Sequence, residues 1–126
     1  MHAKQEALLC AAYALEKKGF DLRLLDVTGL SSLTDFVLIV SGRSDRQVQA
    51  IAESIETGLK KDHELRPLAV EGQQEGRWIL LDYGDVMVHV FQEPVRQYYD
   101  LEGLWRQAPE VSIPDAEPET GRTGRA

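Results

Sequence analysis

A chain of 126 residues with 43% apolar and 28% charged side chains is enough for one soluble globular domain and too short for two. No apolar run approaches the roughly 18 residues of a membrane helix. The opening Met1 to Glu6 lacks the basic region and apolar stretch of a secretory leader, so a cytoplasmic setting is expected. The formal net charge of −7 argues against a phosphate-backbone binder, since such affinity rests on clustered Lys and Arg. An acidic protein is better matched to a basic one, although the same charge also serves solubility alone.

In chain order, Leu8, Ala11, Ala12 and Leu15 recur at helical spacing between Lys4 and Lys18, with Gly19 placed to end the helix. The single Cys10 stands among Leu8, Leu9, Ala11 and Ala12 and is expected to be a small buried hydrophobe, with no local base to activate it. Leu22 to Val27 and Asp35 to Val40 read as strands, the second an almost unbroken aliphatic run suited to burial on both faces. Ser44 and Gln47 make a capping box, and Val48, Ile51, Ala52, Ile55 and Leu59 form the apolar stripe of a helix from about Asp45 to Lys61. Pro67 to Val70 gives a short strand near an edge. Two further strands, around Trp78–Asp82 and Val86–Phe91, follow as a hairpin, and Pro94 opens a helical region running through Leu101, Leu104 and Trp105. The order α-β-β-α-β-β-β-α predicts an α/β (α+β) fold with a mixed sheet of about five strands flanked by helices. The domain is expected to span 1–108, with 109–126 a Pro-rich acidic tail without fixed structure. Two arginines against four acids give that tail a net charge of −2, so the remaining −5 belongs to the domain.

The hairpin is the most informative segment. If Tyr83 and Gly84 are its central turn residues, Trp78 lies opposite His89, Leu80 opposite Met87 and Asp82 opposite Asp85, all on one face. Ile79, Leu81, Val86, Val88 and Val90 then form the opposite, helix-facing side. Two opposed aspartates repel by roughly 0.2–1 kcal/mol, so they call for solvent or a cationic partner. Tyr is a poor first residue for a type I′ turn, and a three-residue Asp82–Gly84 loop placing Leu81 opposite Asp85 competes with this register. Under either, Met87, His89 and Phe91 share one side of their strand.

Three chemical readings compete with docking. Ser41-Gly42-Arg43-Ser44 sits between a strand and a helix N-terminus, where amides can hold phosphate, but it lacks the second glycine and lysine of a Walker loop, and a satisfied helix cap is favoured. Asp82 and Asp85 could hold metal ions for nucleotidyl transfer, although their placement across a turn suits a rigid pair poorly. His89 has no second ligand at zinc spacing, and no catalytic Ser/His/Asp or Cys/His set can be argued.

The residues Ser32-Leu33-Thr34-Asp35-Phe36, Ser41–Ser44 with Arg46-Gln47-Val48, Glu71-Gly72, Gly76 through Phe91, and Arg96 through Trp105 together resemble the bacterial ribosomal silencing factors of the Iojap-related family. The resemblance runs from the first helix to Trp105. It implies a fold related to nucleotidyltransferases without their activity, no cofactor or metal, and no direct sequence-specific nucleic-acid contact. It also implies binding to large-subunit ribosomal protein fourteen on the 50S subunit, steric blocking of 30S joining, and a homodimer. The docking role is carried by the resemblance onto Trp78, Asp82, Tyr83, Asp85 and His89. Leu80 and Met87 join through the two-residue register, Met87 standing where the motif usually has valine. Arg96, Tyr98 and Tyr99 match the later motif and can also fasten the last helix to the sheet. A metal-dependent nucleotidyltransferase is the alternative function, and a homodimer contact is the alternative use of the Trp78–Phe91 face.

Overall fold

The aliphatic run at Phe36–Val40 becomes a strand in which every residue is buried, and the rest of the molecule is arranged around it. The computed structural model describes residues 1–114. Its elements are α1 (Ala3–Glu16), β1 (Phe20–Asp26), β2 (Phe36–Gly42), α2 (Asp45–His63), β3 (Ala69–Glu71), β4 (Trp78–Asp82), β5 (Val86–Gln92), α3 (Glu93–Tyr99), a short 3-10 helix (Leu101–Trp105) and β6 (Glu110–Val111). The six strands form one mixed sheet in the order β3-β4-β5-β2-β1-β6. β2 runs parallel to β5, and every other pair is antiparallel.

α1 and α2 cover one side. The α2 stripe of Val48, Ile51, Ala52, Ile55 and Leu59 is wholly buried with Leu38, Val40, Ile79, Leu81, Val86, Val88 and Val90. Each large aliphatic so buried contributes about 1.5–3 kcal/mol relative to exposure, which makes this layer the main stabilising contact. The buried side of α1 is rotated from the predicted stripe: it runs through Ala7, Cys10, Ala11 and Ala14, while Ala12 is exposed. Small side chains let the helix approach closely, and a Cβ on Gly58 would come within 2.5 Å of the Tyr13 ring. Cys10 is buried as expected.

On the other side, α3 and the 3-10 helix cover only β1, β2 and the end of β5. Val95, Leu101, Trp105 and Ala108 pack there over Leu25, Val27, Val37, Ile39 and Phe91. The helical region expected to run unbroken from Pro94 is divided at Asp100, which takes a left-handed conformation at φ 48°. Apart from Tyr99 of α3 against Trp78, the front of β3, β4 and the first part of β5 receives no helix.

Two expectations are corrected. Glu110 and Val111 pair with Leu25 and Leu24 as a sixth strand, and the Asp26 amide donates to the Pro109 carbonyl, so the ordered domain continues past 108. A composition average over eighteen residues hides a two-residue pairing that Arg23 reinforces by donating to Glu110. The remainder of the expected tail, from 115 onward, lies outside the described residues.

The hairpin turn is also displaced. Its central residues are Gly84 and Asp85, the Tyr83 amide donates to the Val86 carbonyl, and Gly84 alone of the two has positive φ, at 91°. That is the pattern of a type II′ turn, in which only the first central position needs the freedom of glycine. Trp78 therefore faces Phe91, Leu80 faces His89 and Asp82 faces Met87. Asp82 and Asp85 are not opposed, so the expected cross-strand repulsion between them does not arise. Because the shift is by two residues, each strand keeps its predicted division between faces.

Candidate functional site

The uncovered half of the sheet gathers Trp78, Leu80 and Asp82 from β4 with Met87 and His89 from β5, all part-exposed. β3 extends it, with Ala69 opposite Asp82 and Glu71 opposite Leu80. Glu71 is an acidic member that the pairing reveals; its place depends on the β3–β4 register, for which the only sequence signal is Gly72. That glycine has φ 81°, and a Cβ there would lie 2.0 Å from the Trp78 carbonyl oxygen, so the strands can approach only with glycine.

An aromatic stack borders this face. The Trp78 ring lies 4.7 Å from Phe91 at 30° and 5.0 Å from Tyr99, and Tyr98 meets Tyr99 edge-on at 5.0 Å. Such pairs add about 0.5–1.5 kcal/mol each beyond area burial. Tyr98 is 81% exposed, so it closes the stack and presents its ring to solvent. The Trp78 indole Nε1–H donates to His89 Nδ1 at 3.1 Å. Burial of His89 disfavours its cation and lowers its pKa to about 4. Asp82 Oδ1 accepts from the Gly84 amide at 2.8 Å, which binds one carboxylate oxygen into the turn.

Three sequence-predicted residues stand elsewhere. Tyr83 points into the α1/α2 core, only 7% exposed, because parity places it with Ile79 and Leu81. Burial pushes its phenol pKa well above the ordinary range, with further upward contributions from Cys10, Glu56 and Glu6. Asp85 turns toward the start of α1, where its carboxylate meets Glu6. Asp82 and Asp85 therefore do not converge on a common metal position, and no group of three metal-ligating side chains occurs among the described residues. Arg96 is buried as a fastener: it donates to Ser41 Oγ and the Asp21 carbonyl at 2.7 Å each, and to both oxygens of Glu102 at 3.3 and 2.9 Å. Burial works against ionisation of Glu102, but Arg96 and Arg23 outweigh it and hold its pKa below the ordinary value.

The turn before α2 is closed by the protein itself. Ser44 Oγ accepts from the Gln47 amide, and Gln47 Oε1 accepts from the Arg43 amide at 2.6 Å. Its Nε2 donates to the carbonyls of Lys17 and Lys18, and Ser41 Oγ is held by Arg96. The loop is thus a satisfied helix cap that also ties α1 to α2.

Glu6, 4% exposed at the base of α1, has its pKa raised to about 7, first by burial and then by Asp85. Its folded value lies above the unfolded 4.5, so its stabilising share is complete below about pH 4.5 and lost as pH rises through about 7. His89 has the opposite sign: its share is complete above about 6.5 and lost as pH falls through about 4. Glu6→Gln is therefore expected to be about 1–2 kcal/mol more stable than the parent at pH 8, allowing for screening near the chain start, and to lose stability steadily below pH 6.5. Urea unfolding across pH 4–8 checks both halves.

These features define a class: a small α+β domain whose helices leave half of the sheet open, that half bordered by stacked aromatics and carrying acidic side chains. Residues 1–126 match the family described as ribosomal silencing factor during starvation (RsfS). The chain is 42% identical over 109 residues to ribosomal silencing factor RsfS of Bacillus subtilis, covering 86% of this chain and 92% of the relative. It is 41% identical over 116 residues to the namesake from Chromobacterium violaceum, covering 90% and 94%. A crystal structure of a Chromobacterium violaceum protein superposes with a TM-score of 0.82 at 36% identity, covering 90% of this chain and 93% of that one. One from Bacillus halodurans gives 0.76 at 36% identity, covering 87% and 99%. The chain belongs to the ribosomal silencing factor family.

Proposed function

We propose that this protein represses translation by docking on large-subunit ribosomal protein fourteen of the 50S subunit and occupying the surface where the 30S subunit would join. It acts in the cytoplasm as a steric block, with no catalytic step and no cofactor. Trp78, Leu80, Asp82, Met87 and His89 form the contact, with Tyr98 and Tyr99 at its border. The observation that carries the reading is the half-covered sheet: α3 and the 3-10 helix reach no farther than the Phe91 end of β5 and the Trp78 ring, and leave an aromatic and aliphatic surface carrying Asp82 and Glu71. Apolar centres with polar margins are the anatomy of protein interfaces, and the acidic charge suits a basic ribosomal protein.

Sedimentation with purified subunits tests it. The protein is expected to travel with 50S and not with 30S, and to reduce formation of 70S particles when both subunits are mixed. Trp78→Ala removes the residue that Phe91, Tyr99 and His89 all touch, and is expected to weaken 50S binding at least about tenfold. Size measurement of the same variant covers the homodimer. A fall from dimer to monomer with 50S binding retained would make this face the dimer contact and sink the docking assignment.

A further inference from the structure

We propose that His89 sets the specificity of the docking face as a fixed single donor: the Trp78 indole holds it as the Nε2–H tautomer, and Nε2 offers that hydrogen to an acceptor oxygen on the docked ribosomal protein. The inference rests on the docking reading and names the polar group that gives it selectivity. An indole nitrogen donates and cannot accept, so the 3.1 Å contact from Trp78 Nε1 requires a bare His89 Nδ1. A neutral imidazole then carries its hydrogen on Nε2. Among the described residues Nε2 has no partner, yet the buried side-chain atoms left unpartnered are only Glu6 Oε2 and Tyr83 OH, so Nε2 reaches solvent.

Its surroundings are hydrocarbon. Leu80 stands directly across on β4, Ile39 on the other side on β2, and Met87 and Phe91 flank it along β5. One N–H in an apolar field discriminates strongly, because a partner without an acceptor leaves it desolvated and unpaired. The carboxylates of Asp82 and Glu71 add acceptors farther along β4 and β3. The matching partner surface presents an acceptor oxygen with cationic side chains beside it.

The Trp78 bond makes His89 a positioning residue as well as a contact, and two substitutions in the full chain separate the roles. Asn places its amide oxygen near the Nδ1 position and nothing at Nε2, whereas Gln reaches the Nε2 position with an N–H and leaves no acceptor at the Nδ1 position, its amide oxygen lying one bond farther out. His89→Asn is expected to keep the Trp78 indole N–H resonance near its parent position and to lose at least about tenfold in 50S affinity. His89→Gln is expected to shift that resonance and to bind at least about fivefold more tightly than His89→Asn. Nitrogen-15 shifts of the parent imidazole at pH 7 are expected to show the hydrogen on Nε2, a reading independent of any variant. Hydrogen on Nδ1, binding by His89→Asn within about threefold of the parent, or equal losses in both variants would each overturn the proposal. If Asp82→Arg abolishes 50S binding while His89→Asn does not, only the role of His89 falls. If both bind like the parent, the docking reading falls with it.

Discussion

Asp82→Arg is expected to abolish sedimentation with 50S subunits while the protein remains folded. The side chain lies part-exposed on the open face, across from Met87 on β5 and Ala69 on β3, so an arginine there would set a cation against the basic partner proposed above. Like-charge juxtaposition at an interface costs several kcal/mol, about a hundredfold or more in affinity. Part of the effect comes from the turn, since Asp82 Oδ1 accepts from the Gly84 amide and Arg cannot replace that bond. Asp82→Asn separates the two contributions, because its amide oxygen can cap the turn without the charge. Asn should bind several-fold more weakly than the parent and far more tightly than Arg, with a shallower dependence on salt. Sedimentation at two ionic strengths, with thermal melts of each variant, would decide it; Asp82→Arg binding within a few-fold of the parent would count against this face.

Arg96→Ala is expected to cost about 3–5 kcal/mol, the largest stability loss of any substitution considered for this chain. Arg96 is 7% exposed, and its guanidinium joins three elements: Ser41 on β2, the Asp21 carbonyl on β1 and Glu102 in the 3-10 helix. Without it, Glu102 is left part-buried with only Arg23 at 3.4 Å, and two further acceptors lose their donor. A domain stabilised by about 5–15 kcal/mol would feel this as a large fraction of its total. The loosened α3 would also carry Tyr99 off Trp78, so near-ultraviolet dichroism should weaken and 50S binding should fall although Arg96 itself is not on the face. Arg96→Lys keeps the charge but loses the bidentate fork, and should fall between the parent and Ala. Urea unfolding gives the energies; equal stability of Ala and the parent would remove Arg96 as the fastener.

The effects at Asp82 and Arg96 were legible in the sequence to different degrees. The α2 stripe and the buried β2 run need only local periodicity and stand as read, whereas of the Ser44–Gln47 capping box only the Ser44 half forms, Gln47 Oε1 taking the Arg43 amide in place of that of Ser44. The side assignment of Trp78, Leu80, Asp82, Met87 and His89 survived a wrong turn because strand parity tolerates a shift of two. Tyr83 and Asp85 stand off that face, because the turn falls at Gly84–Asp85 and not at Tyr83–Gly84. Motif resemblance placed Arg96 among docking candidates, whereas its partners Ser41, Asp21 and Glu102 are distant in sequence or set by the break at Asp100. The rotated face of α1 was hidden because its buried positions are alanines and a cysteine, which carry little hydropathy contrast.

By itself, the sequence determined the elements, their order, the two faces of the hairpin and the resemblance to the family, because each depends on spacing along one segment. Only the tertiary structure decided that Gly84 and Asp85 make the turn, that β6 closes the far edge, and that Glu71 joins Asp82 on the open face. It alone decided how far α3 and the 3-10 helix extend, and so which half of the sheet stays uncovered. Those features depend on contacts between segments far apart in the chain, where register, close approach and the reach of a buried arginine outweigh local preference.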